Sequence, residues 1–143
     1  MKKITYIFLF FAMLIVASSC DKAFVNGDLD GMWRLVKVEK DGREIFPENI
    51  YYSFQRHLVM MGDYTEEEGL PSNYYMGVFA RNGNSMLMNN FYCYPGVSGE
   101  SNPEELEKLY IFSNEVNFFI ENLGSELLVM LSDDNIRYYF RKW

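Results

Sequence analysis

Short runs of strand-forming residues, each ended by a turn signal, recur along almost the whole chain beyond residue 30. Gly31-Met32-Trp33-Arg34-Leu35-Val36-Lys37-Val38 sets Trp33 and Leu35 against Arg34 and is followed by the turn pair Asp41-Gly42. Ile50-Tyr51-Tyr52-Ser53-Phe54 and Leu58-Val59-Met60-Met61 read as two more strands. Residues 74–81 and 85–92 flank Asn82-Gly83, a two-residue pair suited to the positive φ angles of a hairpin turn. Residues 117–122, 126–131 and 136–143 form a closing meander, joined by Leu123-Gly124-Ser125 and Asp133-Asp134-Asn135. About eight short strands with no long helix predict an all-β fold, an antiparallel up-and-down barrel or a sandwich. The 95–114 loop is the exception. Asn102 reads as a helix cap, Pro103 fits a first helical position, and Glu104 and Glu105 suit the positive end of a helix dipole. One or two helical turns are expected there.

Ahead of this body lies a different stretch. Lys2 and Lys3 precede an uncharged apolar run over residues 6–16, then Ala17-Ser18-Ser19-Cys20. Charge, apolar core and small residues in that order are the parts of a secretory signal, and the run is shorter than the ~20 residues of a spanning helix. Small residues ending on a cysteine resemble the bacterial lipobox. The resemblance implies that Cys20 is acylated and becomes the first mature residue. It divides the chain into a signal helix (1–19), a lipidated tether (20–30) and one β domain (31–143). The implied address is a bacterial cell envelope, on the outer membrane, held by lipid without a spanning segment.

The leader holds Lys2 and Lys3, so a formal charge of −7 for the chain becomes −9 for the body. Such acidity argues against nucleic acid as a partner. Aromatics at 17% supply ample surface to bury and favour strands over disorder. With Cys20 lipidated, Cys93 has no partner for an internal disulfide, and its aromatic flanks read as those of a buried small hydrophobe.

Gly31-x-Trp33 at the start of the first strand resembles the opening signature of the lipocalins. The resemblance implies an eight-stranded barrel closed at one end by Trp33, with a basic residue of the last strand, Arg137 or Arg141, packed across the indole. It also implies a small apolar ligand in the barrel mouth, and Tyr52, Phe54, Met76, Met88 and Phe118 are the expected lining. The opposing expectation is a barrel filled by its own aromatics, whose outer face or loops meet another envelope protein, as a structural partner or an inhibitor. Leu127-Leu128-Val129-Met130-Leu131 is apolar on both faces, which fits either a partner contact or cover by the helical loop.

Signs of catalysis are few. The acids gather in loops, at Asp63, Glu66, Glu67 and Glu68 and at Glu104, Glu105 and Glu107, and read as solvated charge. His57 has no Cys/His neighbours at metal-ligand spacing. No nucleophile elbow, phosphate loop or metalloprotease helix occurs in the sequence. The methionines Met60, Met61, Met76, Met86 and Met88 fall at strand positions and read as core filler. The expectation is a non-enzyme without metal or cofactor.

Overall fold

The computed structural model describes residues 25–64, 74–94 and 103–143. Cys20, the leader, the acids Glu66, Glu67 and Glu68, and the expected cap Asn102 lie outside the described residues. A 3-10 turn, Gly27–Leu29, leads into nine strands: β1 (Gly31–Lys40), β2 (Arg43–Ile45), β3 (Ile50–Gln55), β4 (Leu58–Asp63), β5 (Tyr74–Asn82), β6 (Ser85–Tyr94), β7 (Glu115–Leu123), β8 (Leu127–Ser132) and β9 (Arg137–Lys142). One five-residue helix, α1 (Pro103–Glu107), precedes β7.

Every strand pairing is antiparallel, in the order β2-β1-β3-β4-β5-β6-β7-β8-β9, and β1 also pairs with β9. That last pairing decides between barrel and sandwich. Eight strands form a closed ring, which leaves no free edge within it. The added strand, β2, pairs with the upper half of β1, at Val38, Glu39 and Lys40, while β3 pairs with the lower half, Gly31 to Arg34. Tight turns at Gly83 (φ 60°) and Gly42 (φ 72°) reverse the chain where the sequence signals lie.

Alternation sorts the side chains. On β7, Val116, Phe118 and Ile120 are buried, whereas Glu115, Asn117, Phe119 and Glu121 are exposed. A one-residue bulge on β6, with Asn90 at φ 54°, lets Met88 and Phe91 both point inward across a change of phase. Phe91 then packs its ring closely on Gly77. A methyl group on Gly77 would meet its ring at 2.5 Å. Among the described residues the core runs from Leu29 to Phe140. No helix among the described residues is long and apolar enough to cross a membrane.

On the outside, the β1–β9 seam is bridged by charge. Glu39 accepts from Lys37 (2.7 Å), Arg137 (3.2 Å) and the Tyr139 hydroxyl (3.1 Å), and Arg137 also reaches Glu121 at 2.7 Å.

Candidate ligand-binding chamber

The two ends of the barrel are closed by different means. At the lower end, where β1 begins and β9 finishes, Trp33 is fully buried and its Nε1 donates to the Leu29 carbonyl at 2.8 Å. The Lys142 ammonium stands 4.3 Å from the indole centroid and donates to the carbonyls of Asp28 (2.7 Å) and Asp30 (2.6 Å). Burial pushes the Lys142 pKa down, against the pull of Asp28 and Asp30. Gly31 has a physical role here. Its φ is 118°, and the Lys142 side chain passes 3.1 Å from where a Cβ would stand. Phe54 and Phe79 meet edge to face at 5.4 Å and complete this floor.

The upper end is closed by the segment 103–112. Leu106, Leu109 and Ile111 are 0%, 3% and 0% exposed and belong to the same core as the strands. Two tyrosines reach up to it from opposite sides of the β1 strand. Tyr52 on β3 donates its hydroxyl to the Leu109 carbonyl at 2.5 Å, and Tyr138 on β9 donates to the Tyr110 carbonyl at 2.8 Å. Burial raises the pKa of both phenols, so both stay protonated donors. Around them Tyr52 leans on Phe140 at 5.0 Å, and Phe118 meets Tyr138 at 5.4 Å. The result is an apolar chamber with two hydroxyl donors, occupied by the protein's own loop.

The segment ends in a Schellman arrangement. Ile111 N–H bonds Leu106 C=O at 3.0 Å, Tyr110 N–H bonds Glu107 C=O at 2.9 Å, and Tyr110 takes a left-handed φ of 64°. Glycine is usual at that position. A tyrosine there carries strain of about 1–2 kcal/mol.

Four of the five expected lining residues, Tyr52, Phe54, Met88 and Phe118, point inward and are buried. Met76 does not. On β5 the inward residues are Tyr75, Gly77 and Phe79, so Met76 falls on the outer wall, opposite Met60, with the Tyr92 hydroxyl 3.7 Å from its sulfur. A one-residue phase error exchanges the two faces of a strand. The same parity corrects the basic partner of Trp33. Tyr138, Phe140 and Lys142 face inward on β9, which sends Arg137 and Arg141 outward. Arg137 bridges the outer seam, and Arg141 is exposed opposite Arg34. The helical loop, one of the two expected covers for the apolar β8, packs into the barrel end, where Leu106, Leu109 and Ile111 join the strand core.

Four contributors to this end, Leu106, Leu109, Ile111 and Tyr138, were not among the expected lining residues. Leu106 and Leu109, three apart in the expected helix, carried a readable signal of one apolar face. His57 lies exposed in the β3–β4 turn and Cys93 is half-buried beside Tyr75 on β6. Among the described residues no group of three or more His, Cys, Asp or Glu side chains is placed to hold a metal.

The lipocalin-like domain family matches this sequence over residues 13–143. The chain belongs to that family. A lipocalin-like protein from Bacteroides uniformis ATCC 8492 shares the fold of this lipocalin-like domain, with a TM-score of 0.64 and 20% identity, over 82% of this chain and 100% of that one. An uncharacterized protein from Bacteroides eggerthii DSM 20697 does so with a TM-score of 0.61 and 20% identity, over 80% of this chain and 99% of that one. No curated protein matches the sequence.

Proposed function

We propose that this lipocalin-like domain is a lipid-anchored binding module of the bacterial cell envelope, held on the outer membrane through Cys20, that carries a small apolar ligand without transforming it. One observation carries the binding reading. The upper end of the ring is closed by a loop segment packed on the strand side chains rather than by a strand, so that segment can leave without unpairing a strand. The anchor reading rests on the basic, apolar and small-residue pattern that ends at Cys20.

The test is native mass spectrometry, with organic extraction, of the mature protein from its own membranes. An apolar molecule recovered in fixed proportion to protein, together with acyl mass on Cys20, is the expected result. Protein that is repeatedly free of any such molecule, and that takes up no apolar probe in titration, overturns the binding reading. A mature chain without acyl mass overturns the anchor.

A second reading, contact with another envelope protein, has the outer wall in its favour. Phe119 is 51% exposed and, with Leu87 and Leu131, lines an open groove of about 460 Å³ between the β5–β6 and β7–β8 hairpins. Chemical cross-linking in whole envelopes that traps one protein through this groove would favour it.

A further inference from the structure

We infer that residues 103–112 stand in the ligand's place, and that the ligand is an uncharged apolar molecule whose carbonyl oxygen replaces that of Leu109 or Tyr110 on the Tyr52 and Tyr138 hydroxyls. This rests on the binding reading above and adds the ligand's chemistry and the competitor it displaces.

Four observations point the same way. First, α1 has five residues, far below the length at which a helix is stable by itself. Its position therefore depends on the burial of Leu106, Leu109 and Ile111 and on the two tyrosine bonds. Second, the two buried phenols, on different strands, both donate to adjacent carbonyls of this one segment. A departing segment leaves two donors in an apolar space, and an unpartnered buried donor is costly. The incoming molecule must supply acceptors. Third, Tyr110 holds a left-handed backbone in the seated state, which leaves the segment strained where it must let go. Fourth, the buried polar and charged residues described, apart from the tyrosines, are Asp30 and Ser132, with no buried cation among them. A carboxylate would enter that space unpaired, whereas an ester or ketone oxygen would not. Lys108, on the segment itself, is exposed, and Lys40 has its ammonium 3.6 Å from the Phe112 ring centroid, so neither cation is buried.

The experiment uses the unacylated mature chain, residues 20–143, which contains the whole closed barrel. Methyl decanoate, decane and decanoate at pH 8 are titrated in turn, with amide hydrogen exchange followed at residues 109–111. Methyl decanoate is expected to bind about tenfold more tightly than either of the others, a difference of about 1.4 kcal/mol. It should speed exchange at Tyr110 and Ile111, whose amides bond within the segment; ligands that merely stiffen a fold slow exchange. Leu109→Ala, which weakens the competitor, should tighten methyl decanoate by about tenfold. The Tyr52→Phe, Tyr138→Phe double variant should lose the preference for the ester over decane.

Ester binding with unchanged or slower exchange at 109–111, or no gain from Leu109→Ala in a variant that still folds by circular dichroism, overturns displacement and leaves the binding reading standing. Decanoate binding as well as the ester overturns the neutral-ligand assignment. Failure of all three probes to bind either the natural chain or Leu109→Ala overturns the binding reading and this inference together.

Discussion

Lys142 lies across Trp33, its ammonium 4.3 Å from the indole centroid, and ties the 3-10 turn to the last strand through the carbonyls of Asp28 and Asp30. The cation therefore acts twice, on an aromatic face and on two carbonyls. Lys142→Met keeps the stem beside Gly31 and removes both contacts, at an expected cost of about 1–2 kcal/mol. Thermal melting should fall by roughly 3–8 °C on the usual size scaling. Arg141→Met should melt as the natural protein does or slightly higher, because Arg34 stands directly opposite and like charges across a strand pair repel. A larger loss at Arg141 than at Lys142 would refute the assignment.

Trp33 is the other half of that contact. Trp33→Ala should cost about 3–5 kcal/mol by emptying a fully buried site. Trp33→Phe should cost less and lose chiefly the bond to Leu29. Urea denaturation separates the two, with the alanine midpoint well below that of phenylalanine.

Gly77→Ala tests the close approach of Phe91. The added methyl would meet the ring at 2.5 and 2.7 Å and the Asn89 carbonyl at 3.1 Å. Overpacking of this kind costs about 1–3 kcal/mol. Pairing the change with Phe91→Leu should return part of the loss, and the double variant read against both singles measures the coupling.

The Glu39 network gives a sign for acid. Lys37 first, then Tyr139 and Arg137, hold the Glu39 carboxyl below its ordinary 4.5 in the folded state, against a partial desolvation. Its contribution is complete above the unfolded value and is lost as pH falls through the folded one. Melting temperature should therefore decline on the acid side of pH 4.5. Glu39→Gln should make that decline shallower while lowering stability at neutral pH, which scanning calorimetry from pH 3 to 7 would read.

Cys20→Ala should release the protein from membranes or leave it unprocessed with its leader attached. Fractionation of envelopes, followed by intact mass, reports both. A variant that is cut to normal length and still sediments with membrane would refute the anchor.

Nearly every strand was readable because its cues are local. Asn82-Gly83 and Asp41-Gly42 sit where the hairpins turn, and Trp33, Leu35 and Val38 are buried where the pattern of β1 placed apolar residues. The inward facing of Tyr52, Phe54, Met88 and Phe118 follows from the same period of two. Met76 and the arginines went astray by one residue, since residue type gave no phase and only the pairing register supplies it. The short β2 was unseen, because three residues on an added strand carry no period.

By itself, then, the sequence determined the class of fold and the number and order of ring strands, all of which are written in neighbouring residues. The tertiary structure decided what lies far apart in sequence: that β1 meets β9, that Lys142 rather than an arginine covers Trp33, and that Leu106, Leu109 and Ile111 fill the upper barrel beneath Tyr52 and Tyr138. Ring closure fixes which side chains share the interior, and a loop with three apolar residues goes to whichever exposed apolar space that closure leaves open.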